Sequence, residues 1–160
     1  ECGSERHRRC RVVSSARVDI WHCNKDGYYS GYNNQNGGSL GTQNYSGQTW
    51  LRGYQMTDAS GKATFLTIYP GWYQGRATHI HMEVFVNNVL KKTGQITFPE
   101  SISDVVHVSS LYAAHGINTM RNSSDGIFNN SATDLSNETV ALTGSVAAGY
   151  SGSYTLGIAL

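Results

Sequence analysis

His79-Ile80-His81-Met82-Glu83-Val84 decides the architecture, because its apolar and polar residues alternate with period two. Successive strand residues face opposite ways, so Ile80, Met82 and Val84 share one face while His79, His81 and Glu83 share the other. Half-buried strands of this kind belong to antiparallel sheets. Outward from Thr78–Val86, the chain reads as more short strands punctuated by turn chemistry. Asn88–Phe98 follows; Lys62–Tyr69 precedes it and is broken off by Pro70-Gly71. Thr49–Thr57 and Lys62–Tyr69, joined by Asp58–Gly61, read as a hairpin. Val12–Val13 and Arg17–Trp21 alternate up to the Asn24-Lys25-Asp26-Gly27 turn, and Thr139–Leu142 and Tyr150–Ile158 close the chain as strands.

Gly31–Gly47 reads as a long polar loop, and Gly116–Leu135 as a second one that serves function or is anchored by its side chains. Ser101–Ala114 is the one helical piece, with Ser101 or Ser103 as N-cap. The expectation is an all-β protein: an antiparallel β-sandwich of about eight short strands with one short helix and long loops. No repeat or linker divides the 160 residues, which read as one domain over 1–160.

Composition agrees. Charged residues are only 14%, and 18 Ser, 13 Thr, 12 Asn and 18 Gly take their place, a mixture that suits strands and turns. A net charge of +1 gives no electrostatic case for nucleic acid or a membrane surface as partner. No apolar run is long enough to cross a bilayer. Cys2, Cys10 and Cys23 fit neither a redox pair nor a zinc knuckle. They read either as three free thiols or as a Cys10–Cys23 disulfide worth roughly 3 kcal/mol, with Cys2 left over. Sequons at Asn44, Asn122, Asn129 and Asn137 exceed the roughly two that chance predicts, which favours the disulfide and a secreted protein, processed or truncated ahead of Glu1. The basic run Arg6-His7-Arg8-Arg9 reads as a solvated terminus or a docking patch.

His79 and His81 sit about 7 Å apart at Cα on one strand face, so both rings can converge on one metal or simply serve as hydrogen-bonded surface residues. Tyrosine is the other conspicuous type, with Tyr69 and Tyr73 upstream and Tyr28, Tyr29 and Tyr32 around the first turn.

These residues fall into blocks: Val18-Asp19-Ile20-Trp21-His22-Cys23 with Asp26-Gly27-Tyr28-Tyr29-Ser30-Gly31; Leu51-Arg52-Gly53-Tyr54-Gln55; and Ile68-Tyr69-Pro70-Gly71-Trp72-Tyr73-Gln74-Gly75-Arg76-Ala77-Thr78-His79-Ile80-His81. Together they resemble the intradiol ring-cleavage dioxygenases, non-haem Fe(III) enzymes that open catechols between the two hydroxylated carbons. Gln95-Ile96-Thr97-Phe98-Pro99-Glu100 and Asp125-Gly126-Ile127-Phe128 resemble the secreted, single-domain branch. The resemblance implies Fe(III) held by Tyr29, Tyr73, His79 and His81, with Tyr28 the competitor for the first position. It implies Arg76 as the active-site arginine, Tyr73 as the ligand displaced by substrate, and Gln95 as a glutamine behind the metal ligands. Partners would be a catechol and O2, and the product a muconate-type dicarboxylic acid. The N-terminal segment through which catabolic members dimerise has no counterpart ahead of Tyr29, so a monomer is expected.

The chemistry is consistent with that donor set. Holding a phenol ionised at pH 7 costs about 4 kcal/mol, so two tyrosinates on one site call for a strongly charged cation that selects hard oxygen donors. Fe(III) with two phenolates and a hydroxide is neutral, and a catecholate dianion replacing the hydroxide and one phenolate keeps it so, which leaves no uncompensated buried charge. Two other readings use the same residues: a non-catalytic β-sandwich that binds a ligand or carbohydrate, and a zinc hydrolase on His79 and His81, which lacks a third strong ligand and a base.

Overall fold

The computed structural model describes residues 10–160. Cys2 and the Arg6-His7-Arg8-Arg9 run lie outside the described residues. The principal sheet has four antiparallel strands in the order β4-β1-β5-β6, formed by β1 (Arg17–Trp21), β4 (Arg52–Met56), β5 (His79–Val86) and β6 (Val89–Thr97). The miniature hairpin β2 (Gln35–Asn36) and β3 (Thr42–Gln43) lies inside the stretch read as loop. A third pairing joins β7 (Ala141–Ser145) to β8 (Gly149–Ser153), and a parallel bridge between Thr97 and Thr139 ties it to β6.

The alternation of β5 places its residues as expected. Ile80, Met82 and Val84 are buried, and Ile80 packs with Phe98 and Val140 against Ile20, Tyr69, Ile96, Leu142 and Tyr154. That inner face joins the principal sheet to β7 and the tail. The opposite face carries one lateral row across all four strands, in which Arg52 pairs with Trp21, Trp21 with His81 and His81 with Gln95. Paired residues in an antiparallel ladder project to the same side. Four long polar or aromatic side chains are thus drawn from distant sequence into one line.

Four expectations are corrected. β4 pairs with β1 and not with Lys62–Tyr69, so the expected hairpin does not form. Asp58 does close a turn, accepting from Ser60 N and Lys62 N. Beyond it residues 62–69 leave the sheet, join no ladder, and run to a point where Tyr69 packs on Phe98. The expected Cys10–Cys23 disulfide is absent, because Cys23 is a free thiol buried at the end of β1 while Cys10 sits at the surface. Burial pushes the Cys23 thiol up to about 12. The helix of 101–114 shortens to α1 (Glu100–His107), and Pro99 stands at its N-cap in place of Ser101 or Ser103. A second helix, α2 (Ala132–Glu138), occupies part of the supposed loop; Ser131 Oγ accepts from Asp134 N, the signature of a capped N-terminus.

Among the sequons, Asn122 is buried and spends its amide on Phe98 O and Thr97 Oγ1, so it offers no glycosylation acceptor. Asn44, Asn129 and Asn137 are exposed. The loop between α1 and α2 is anchored along its length. Arg121 pairs with Asp104, Asn122 N donates to Glu100 Oε1, and Asp125 and Phe128 are fully buried.

Candidate active site

Two turns bring the tyrosines together. Asn24 Oδ1 accepts from Asp26 N and Tyr28 N, and Gly27 takes the left-handed backbone (φ +87°) that an L side chain resists. A Cβ at Gly27 would strike Trp72 O, and one at Gly71 would strike the carbonyl oxygens of Asn24 and Lys25. These two glycines therefore let the Asn24–Gly27 turn lie directly on the Pro70-Gly71-Trp72 segment, one residue short of Tyr73. Trp72 is fixed by stacking on His115 (3.9 Å between centroids, 7° between planes) and by donating to Gly116 O. Gln35 grips Tyr29 by both backbone groups: its Oε1 accepts from Tyr29 N and its Nε2 donates to Tyr29 O.

The turn also separates Tyr28 from Tyr29. Tyr28 points away and donates to Gly41 O at 2.7 Å, whereas Tyr29 Oη reaches 3.2 Å from His79 Nε2. Tyr73 Oη lies 3.4 Å from the same nitrogen, and His81 Nε2 lies 3.2 Å from it. Side chains 29, 73, 79 and 81 meet around one point, and Arg76 Nη1 stands 3.4 Å from Tyr73 Oη.

Ala77 O, an acceptor only, takes a hydrogen bond from His79 Nδ1 at 2.6 Å, so neutral His79 carries a bare lone pair at Nε2. That lone pair faces a second imidazole nitrogen and two phenol oxygens, and it can accept one proton from among them, so the remaining lone pairs turn toward the same point. Burial lowers His79 to about 4, with Arg76 and His81 adding to it, and burial followed by Arg76 and Arg52 lowers His81 to about 4. Both rings are neutral at pH 7. Burial raises Tyr29 strongly and raises Tyr73 against the pull of Arg76, so neither phenol ionises by itself. Two half-buried phenols and the His81 imidazole, converging within 3.2–3.4 Å of His79 Nε2, make with it a donor set that fits a hard, highly charged cation. Among the described residues, no group of three or more His, Cys, Asp or Glu could hold a metal, so phenol oxygens have to complete any metal site here.

The chain superposes on an intradiol ring-cleavage dioxygenase from Tetranychus urticae with a TM-score of 0.80, 30% identity, and coverage of 93% of this chain and 73% of that one. This chain belongs to the intradiol ring-cleavage dioxygenases. A second crystal structure, of a protein described as a dioxygenase, is 29% identical with a TM-score of 0.77 over the same shares of both chains. The dioxygenase domain of a dioxygenase–carbohydrate-binding fusion from Streptomyces sp. SirexAA-E is 23% identical (TM-score 0.57, covering 91% of this chain and 68% of that one) and shows the fold alone. No family model matches the sequence, and no curated protein matches it either.

Several residues that support the dioxygenase site received no role from sequence. Trp21 stacks on His81 at 4.9 Å with planes 3° apart and fixes that ring. Arg52 donates from Nε and Nη2 to Ser30 O, bracing the residue after Tyr29. Asp125 receives Arg76 Nε at 2.9 Å and Ala77 N at 2.6 Å. Gln95, expected behind the metal ligands, accepts from Arg76 Nη2 through its Oε1 at 2.6 Å. The signal for Trp21 was present: with β1 beside β5 in this register, the lateral row follows. The link to Asp125 crosses 49 residues and carries no local signal.

Proposed function

We propose that this dioxygenase holds Fe(III) through Tyr29, Tyr73, His79 and His81 and inserts both atoms of O2 into a catechol. Cleavage falls between the hydroxylated carbons and yields a muconate-type dicarboxylic acid. The observation that carries the reading is the convergence of Tyr29 Oη, Tyr73 Oη and His81 Nε2 within 3.2–3.4 Å of His79 Nε2.

When bound, Fe(III) supplies the Lewis acidity that ionises phenols at neutral pH and the electron demand that opens the ring to O2. The residues do the rest. His79 presents its lone pair because Ala77 O fixes the tautomer, and His81 is oriented by the face of Trp21. Tyr29, held at its backbone by Gln35, remains in place throughout. Tyr73 would be the group that gives way: as the tyrosinate that a bound ion would stabilise, its Oη would take the proton of one catechol hydroxyl and be left as a neutral phenol. Arg76, directly beside that oxygen, offsets negative charge that develops on the substrate. Secretion completes the proposal, supported by three exposed sequons.

Visible absorption and oxygen uptake test this. Protein loaded with Fe(III) should be red to burgundy from tyrosinate-to-iron charge transfer and should consume O2 with catechol. Tyr73→Phe and His81→Ala should abolish or cripple uptake. A colourless loaded protein, or undiminished uptake in either variant, overturns the ligand assignment.

A further inference from the structure

The structure assigns Asp125 as a positioning residue that sets both the guanidinium of Arg76 and, through Ala77, the imidazole of His79. The inference rests on the dioxygenase reading above and extends its site to the loop between α1 and α2. Asp125 has no exposed surface. A carboxylate so placed is costly unless every lone pair is used. Here Oδ2 accepts from Arg76 Nε and Ala77 N, and Oδ1 accepts from Ile127 N at 2.8 Å. All its bonds go to its own turn or to the two residues that lead into the histidine pair.

Each bond has a consequence at the site. A guanidinium is a rigid planar fork, so anchoring Nε fixes where the other two nitrogens point. With Nε on Asp125, Nη1 faces Tyr73 Oη and Nη2 faces Gln95 Oε1. Both backbone polar groups of Ala77 are held, its N–H donating to Asp125 Oδ2 and its C=O accepting from His79 Nδ1. That carbonyl selects the tautomer that bares His79 Nε2. One carboxylate therefore aligns the cation beside the displaceable phenol and, one peptide removed, a metal ligand. Asn118, from the same loop, adds a bond to Arg76 O at 2.9 Å.

Asp125→Asn keeps the shape but removes the charge and one acceptor. With iron loaded, kcat/KM for catechol per bound iron should fall roughly 10- to 100-fold, the usual cost of losing such support. The charge-transfer band should persist, because all four ligand side chains remain. Asp125→Glu should restore part of the loss. A readout free of turnover is hydrogen exchange at Arg76 Nε–H, followed by NMR in the iron-free full chain. It should be slow compared with the exposed Arg11 and become fast in Asp125→Asn. This measurement on the unaltered protein stands even where the variant fails to fold. Exchange as fast as that of Arg11, or an Asp125→Asn kcat/KM per iron within twofold of the unaltered enzyme, overturns the assignment. Slow exchange in a protein that turns over no catechol upholds the clamp and overturns the dioxygenase reading instead.

Discussion

Tyr28 and Tyr29 are adjacent, chemically identical and both buried or half-buried, yet only one serves the site. The difference is one of direction. Residues 27–29 turn on Gly27, which sends Tyr28 to Gly41 O and Tyr29 to His79. A sequence motif could rank the two but could not show what holds the unused one. Tyr28→Phe should therefore leave the charge-transfer band and oxygen uptake intact and cost about 0.5–1.5 kcal/mol, read from a denaturant midpoint, for the lost hydrogen bond. Tyr29→Phe should do the reverse, weakening the band while the fold persists. The same reasoning explains why the role of Arg76 was legible and that of Asp125, though its block carries the resemblance, was not. Arg76 lies three residues from Tyr73 and inside the motif, whereas its partner depends on how a distant loop folds back.

At the scale of elements, legibility followed the strength of the local pattern. β5 and β6 were read almost to the residue, because alternation and the Asn87-Asn88 turn leave little choice. Residues 62–66 also alternate between exposed and half-buried positions, yet residues 62–69 form no ladder. Alternation records a two-sided environment, and the partner is decided by tertiary packing. The miniature hairpin β2–β3 is too short to leave a period at all. α2 was missed although Ser131 and Asp134 stand at capping-box spacing, because its seven residues are polar and lack an apolar stripe. The loop preceding α2 behaves as an element in its own right, pinned by Phe128, which is wholly buried. Phe128→Ala should cost roughly 3–5 kcal/mol, measured by chemical denaturation, and should reduce turnover as Asp125 loses its seat.

For the whole molecule, buried titratable groups give stability a definite pH dependence. Burial lowers His22 despite the bond to Cys23 O, and burial lowers His107 despite the bond to Pro70 O. Both are neutral in the fold, whereas the unfolded chain protonates them below about pH 6.5. The unfolded state then binds more protons, so stability falls as pH drops through that region, by up to about 1.4 kcal/mol per pH unit for each group. For Asp125, burial acts upward, but the Arg76, Ile127 and Ala77 donors outweigh it and hold the carboxyl below its ordinary value. Its contribution is present above about pH 4 and is lost as pH falls further. The two effects share a sign. Denaturant midpoints of the iron-free protein should be flat above pH 7, decline from about pH 6.5 and fall again below pH 4; a midpoint that rose on acidification would contradict these protonation states.

The buried thiol of Cys23 gives the molecule a reporter of its own breathing. With the sulfur buried and its ionisation suppressed, an alkylating reagent reaches it only in molecules that have transiently opened beyond the end of β1. The rate of modification at this one position, located by mass spectrometry, then counts those openings. Fe(III), bound by Tyr29 and Tyr73 as proposed, should slow it in proportion to the affinity with which the ion is held.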